Sequence, residues 1–123
     1  MNGKVKFDSQ EEKKVASFLT ELNIYWDTQP KLLVNDYYDK ERITHPDLFL
    51  PEFGIYIEVC GAERKEIYEN KRKLYKQNHF NVIFVETYKP EKKWKLYLLN
   101  RIVEIQANRD NILRTSLFEK IFN

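Results

Sequence analysis

The sequence predicts an α/β sandwich in which a small mixed sheet is flanked by helices. Three observations predict it. Apolar residues recur at helical spacing near the start, then in short strand-like runs, then again at helical spacing before a buried strand, an order of α-β-β-β-α-β. Two of the runs are separated by Pro51-Glu52-Phe53-Gly54, a hairpin turn. The 123 residues are 42% hydrophobic and 33% charged with only 3 Gly and 4 Pro, which excludes disordered, collagenous and low-complexity chains.

The elements follow in order. Asp8 or Ser9 caps a first helix reaching about Leu22, with Ser9 and Glu12 spaced as a capping box and Val15, Phe18, Leu19 and Leu22 as its buried stripe. Ile24 to Leu33 is strand-like, interrupted by Pro30, and residues 35–42 form a polar, acidic loop. Ile43 to Leu50 and Ile55 to Cys60 are the hairpin strands. A second helix covers roughly 62–79, and Asn81 to Glu86 is a strand of the buried type. Trp94, Tyr97, Leu98, Arg101, Ile102 and Ile105, then Ile112, Leu113, Leu117 and Ile121, predict C-terminal helices over about 90–122. One domain spans residues 1–123, with a core over about 8–87.

Folding the hairpin about residues 51–54 sets Leu50 opposite Ile55, Phe49 opposite Tyr56, Asp47 opposite Glu58 and His45 opposite Cys60. Alternation then gives one face to Leu48, Leu50, Ile55, Ile57 and Val59, which pack on helices. The other face carries His45, Asp47, Phe49, Tyr56, Glu58 and Cys60 and lines a cleft. Opposed carboxylates have Cβ atoms about 5 Å apart and repel. A shared proton, a basic side chain or a divalent metal ion relieves that repulsion, unless the pair simply diverges into water. A hard ion such as Mg²⁺ would take the two carboxylates together with water and phosphate oxygens.

Ser9-Gln10-Glu11-Glu12, Pro46-Asp47-Leu48-Phe49-Leu50-Pro51 and Tyr56-Ile57-Glu58-Val59-Cys60-Gly61, followed by a Tyr- and Lys-rich helix, resemble the PD-(D/E)xK nuclease superfamily. The resemblance covers about residues 8–87 and is closest to small nuclease domains that stand alone or accompany helicases and transposition proteins. It implies an αβββαβ, restriction-endonuclease-like core. It implies that Asp47, Glu58 and the Val59 backbone carbonyl hold Mg²⁺ or Mn²⁺, and that Glu12 adds a carboxylate from the first helix. The reaction implied is hydrolysis of DNA phosphodiester bonds by a metal-activated water, directed to structures or ends in repair, recombination or replication.

Cys60 stands where the family pattern has lysine, and a thiol carries no positive charge. Either catalysis is lost, leaving an inactive nuclease-fold domain that binds nucleic acid or serves a helicase or transposase complex, or the charge comes from elsewhere. Helical spacing sets Lys71 in the sheet-facing stripe of Ile67, Tyr68, Leu74, Tyr75 and Asn78, where it must find an anion or reach out to solvent. Relatives in the superfamily sometimes shift the lysine to this helix, so Lys71 is the candidate, followed by Lys73 or Arg72. His45 with Cys60 offers a softer metal set, although a small buried side chain at a strand end suits Cys60 better.

The net charge of +2 hides an uneven distribution: 7 Lys/Arg against 11 Asp/Glu in residues 1–58, and 10 against 5 in residues 62–95. That asymmetry suits a polyanion beside a cation site. Lys65, Arg72, Lys73 and Lys76 lie off the apolar stripe of the second helix and are the candidate nucleic-acid contacts, binding backbone without reading sequence. Trp94 fits a helical core stripe. A single cysteine and the lack of a run of roughly 20 apolar residues point to a cytoplasmic protein with no membrane partner, and a homodimer is one use for the C-terminal helices.

Overall fold

A computed structural model describes residues 9–122. Helix α1 (Gln10–Glu21) starts where Ser9 accepts the Glu12 backbone N–H at 3.1 Å, with Glu11 and Glu12 in its first turn, the end that favours negative charge. Asp8 lies outside the described residues. Val15, Phe18 and Leu19 are buried as their spacing predicts, but Leu22 is the C-cap and stays 40% exposed.

The segment expected as one strand over 24–33 is two: β1 (Asp27–Thr28) and β2 (Leu32–Asn35), in different sheets. They part at Gln29, which sits at φ 45° beside Pro30, and Pro30 has no N–H for a ladder. The expected loop over 35–42 holds instead the turn of a second hairpin, in which β2 pairs antiparallel with β3 (Glu41–Thr44). Within it Asp36 accepts the backbone N–H groups of Tyr38 and Lys40. The strand expected over 43–50 likewise divides at His45-Pro46 into β3 and β4 (Leu48–Leu50). Single-residue alternation survives these breaks locally, so the sequence pattern alone does not reveal them.

Strands β4 and β5 (Ile55–Cys60) pair in the predicted register, Leu50 with Ile55, Phe49 with Tyr56 and Leu48 with Ile57. Gly54 closes their turn at φ 60°, where a side chain would be strained, and its N–H reaches the Leu50 carbonyl at 2.8 Å. After β5 comes α2 (Lys65–Gln77), and then β6 (Val82–Glu86) returns parallel to β5. The four-stranded mixed sheet has the order β1-β4-β5-β6, so its elements run α-β-β-β-α-β along the chain with the β2–β3 hairpin inserted.

One face of the sheet buries Leu48, Leu50, Ile55, Ile57, Ile83 and Val85 against α1 and α3 (Glu91–Phe122). The other face carries Tyr56, Cys60 and Phe84 against Leu74 and Tyr75 of α2 and Leu32 and Val34 of β2. Asn78 and Gln77 sew that hairpin to α2: the Asn35 N–H donates to Asn78 Oδ1 at 2.7 Å, and the Asn35 carbonyl accepts from both side-chain amides.

The C-terminal helices expected over 90–122 are one continuous helix of 32 residues. Trp94, Leu98, Ile102 and Ile105 are its buried residues, and the Arg109 guanidinium donates to the Phe53 and Gly54 carbonyls in the β4–β5 turn. Beyond that anchor Ile112, Leu113, Leu117, Phe118, Ile121 and Phe122 are exposed, so the stripe expected to pack there does not. No helix among the described residues is long and apolar enough to cross a membrane.

Leu98→Ala is expected to lower stability by about 2–5 kcal/mol, because the fully buried side chain leaves a cavity. Leu117→Ala, on the exposed end of the same helix, is expected to change it by less than about 0.5 kcal/mol. Urea denaturation of both variants checks the contrast.

Candidate active site

The site forms where the β4–β5 ladder ends. Leu48 is the last paired residue of β4, so Asp47 lies one step beyond the ladder and its side chain continues the pairing: Oδ2 accepts the Val59 N–H at 2.7 Å. The Asp47 carbonyl meanwhile accepts from the Gln29 N–H, which ties β4 to β1. The Tyr56 N–H and the Cys60 carbonyl bond toward the β6 side. Val59, one residue out of phase, therefore turns its N–H and its C=O to the β4 side, where the N–H meets Asp47.

Glu58 points to the face covered by α2 and is only 3% exposed. Its Oε1 accepts the Tyr75 hydroxyl at 3.0 Å, and its Oε2 lies 3.5 Å from Lys71 Nζ. Lys71 and Tyr75 stand four residues apart on α2, one turn of the same helix face, and so grip the two oxygens together. Burial, reinforced by the charge of Asp47, pushes the Glu58 carboxyl above its ordinary 4.5 against the opposing pull of Lys71 and Tyr75. The Tyr75 hydroxyl is itself pushed up, first by burial and also by Glu58 and Asp47, while Thr44 of β3 acts the other way. Tyr75 therefore serves as a neutral donor.

Sequence reasoning placed Asp47, Glu58 and Lys71 together, and the structure brings them together. It missed Tyr75 as the partner of Glu58, although the i, i+4 spacing from Lys71 was a usable signal. Cys60 is fully buried among Leu74, Tyr75 and Phe84, and desolvation pushes its thiol to about 12, so it is neutral and packs as an apolar side chain. His45 is exposed and outside the ladder, so the expected His45–Cys60 pairing does not form. Among the described residues no group of three or more His, Cys, Asp or Glu side chains gathers to hold a metal. Asp47 and Glu58 are near enough for the charge of one to act on the other, and Asp47 lies against the Val59 N–H.

Glu12 is buried in α1 at 6% exposure. Its neighbour Glu11 abuts the end of β5: a Cβ on Gly61 would stand 2.9 Å from Glu11 Cγ, so only glycine lets α1 approach there. Among the basic candidates, Lys65 lies 3.8 Å from Glu63, Lys73 and Lys76 are exposed, and Arg72 stacks its guanidinium 4.7 Å from the Phe84 ring centre.

No protein-family model, curated protein or solved structure matches the chain.

A carboxyl whose folded-state value lies above its unfolded one binds more protons when folded, so stability falls as pH rises through that window. Glu58 is such a group. Glu58→Gln, uncharged at every pH, is expected to remove that part of the loss between about pH 4 and about pH 7, and to be the more stable protein at neutral pH. Urea midpoints at the two pH values measure it, and an undiminished pH difference in Glu58→Gln would contradict the assignment.

Proposed function

We propose that the chain is a metal-dependent deoxyribonuclease with a PD-(D/E)xK, restriction-endonuclease-like core, hydrolysing DNA phosphodiester bonds at structures or ends in repair, recombination or replication. The observation that carries this reading is the approach of Lys71 to Glu58 beside Asp47, which supplies from α2 the cation that Cys60 lacks. A positioned lysine is one of the cations that stabilise charge developing on a transferring phosphoryl group.

The donors fit a hard divalent cation. Asp47 and Glu58 repel each other, Asp47 lies against the Val59 backbone, and the two carboxylates with the Val59 carbonyl would offer oxygen donors. Mg²⁺ or Mn²⁺ held by them would supply positive charge to the phosphate and an acidified water.

The chain's own groups do the rest. The Val59 N–H fixes the rotamer of Asp47, and the Tyr75 hydroxyl fixes that of Glu58. Lys71 is 44% exposed and its 3.5 Å contact is long, so it turns readily from Glu58 to a phosphate oxygen. There its ammonium neutralises the charge that develops as the phosphodiester is attacked. Glu12 is the further carboxylate of this reading, offered from α1.

Cys60 and the closed grip of Lys71 and Tyr75 on Glu58 favour a second reading. In it the chain is an inactive nuclease-fold domain that binds nucleic acid, or a subunit of a helicase or transposase complex. The apolar end of α3 is then available to a protein partner or to a second copy.

Purified protein is expected to nick supercoiled plasmid or cut four-way or single-stranded DNA in Mg²⁺ or Mn²⁺, and not in EDTA. Lys71→Ala is expected to slow cutting by roughly 10²–10³-fold, the scale of a lost transition-state donor, with Lys71→Arg partly restoring it. Glu58→Ala is expected to abolish cutting. Binding without cutting in either metal would overturn the catalytic reading and leave the second.

A further inference from the structure

Among the described residues, sheet edge β6 has no strand on its outer side. Along it, between α2 and α3, runs a groove of about 710 Å³ whose lining includes Arg72, Tyr75, Lys76, Phe84, Tyr97 and Arg101. Three features single it out. Arg72 and Lys76 line it from α2 and Arg101 from α3, and no acidic side chain is among its lining residues. Aromatic rings share the lining with those cations: Phe84 buried beneath the Arg72 guanidinium, Phe80 partly buried and Tyr97 44% exposed. Its wall also includes Tyr75, whose hydroxyl holds Glu58, so the groove adjoins the carboxylate site.

We propose that this groove binds an unpaired nucleic-acid strand, with phosphates on Arg72, Lys76 and Arg101 and a base on Tyr97. The assignment rests on the nuclease-fold reading for the identity of the polymer, and it names the substrate class as nucleic acid with a single-stranded segment. Cations beside one exposed ring, Tyr97, suit a strand whose bases are free to stack, because every base has a π-face. A cleft of this size, within the roughly 300–1,000 Å³ of small-ligand sites, has room for an individual nucleotide. Arg101 also meets Glu104, outside the groove lining, and that exposed i, i+3 pair yields readily to a phosphate.

The test is fluorescence anisotropy of a labelled oligothymidylate of about 12 nucleotides in EDTA, with a blunt duplex as comparison. Binding is read without cutting, so it is separable from the catalytic reading. Three phosphate contacts predict a slope of log K against log salt of about −2. Lys76→Gln with Arg101→Gln is expected to weaken binding at least about tenfold and to bring the slope towards −0.7. Tyr97→Ala is expected to cost roughly tenfold with the slope unchanged, as for a lost stack. All three positions are at the surface, and unchanged thermal unfolding shows that each variant is folded. No oligothymidylate binding, tighter binding of the duplex, or full affinity in the double variant would overturn the proposal, whether or not the protein cuts DNA.

Discussion

A carboxylate taken out of water beside a second carboxylate is the constraint around which this molecule is arranged. Glu58 sits in the central strand β5, almost fully enclosed, with the charge of Asp47 adding to the penalty of burial. An uncompensated buried charge of that kind is too costly to keep. The compensation comes from α2, where Lys71 and Tyr75 each meet one oxygen. The position of α2 is in turn held by the β2–β3 hairpin, whose Asn35 is clamped by Gln77 and Asn78 and whose Leu32 and Val34 close the apolar rim. Hairpin, helix and carboxylate therefore depend on one another.

The two faces of the sheet divide the work. The face toward α1 and α3 is a continuous apolar layer from Leu19 through Ile57 to Leu98 and supplies most of the burial. The opposite face is smaller and mixes rings with polar groups. That asymmetry lets a polar cluster exist without undermining the core, because the apolar layer beneath β5 keeps the strand fixed while α2 covers it. Cys60 belongs to the supporting half of this arrangement. It fills space under α2 as an uncharged group, and the cation of the site comes from one layer above.

Several features were legible before any coordinates. Ser9 as a cap, the β4–β5 register, the buried strand before α3 and the inward placement of Lys71 all follow from short-range rules of capping, alternation and helical spacing. The errors came where chain direction changed without a change of pattern. Residues 24–33 and 43–50 read as single strands, yet Pro30 and the His45-Pro46 step divide each between strands of different sheets. Ile112, Leu113, Leu117 and Ile121 keep helical spacing, yet α3 has outrun the sheet and nothing among the described residues covers them.

The sequence by itself determined the local geometry: which residues pair across the turn, which helix face looks inward, and that two carboxylates share one side of a hairpin. Those facts depend on periods of 2 and 3.6 residues and on turn chemistry, all contained within a few residues of chain. Only the tertiary structure decided which hydroxyl meets Glu58, that Cys60 is sealed from solvent, and that Arg72, Lys76 and Arg101 line one groove on the free edge of β6. Each of these joins residues from elements far apart in sequence. The distance between them is set by how whole layers pack, and no local period records that.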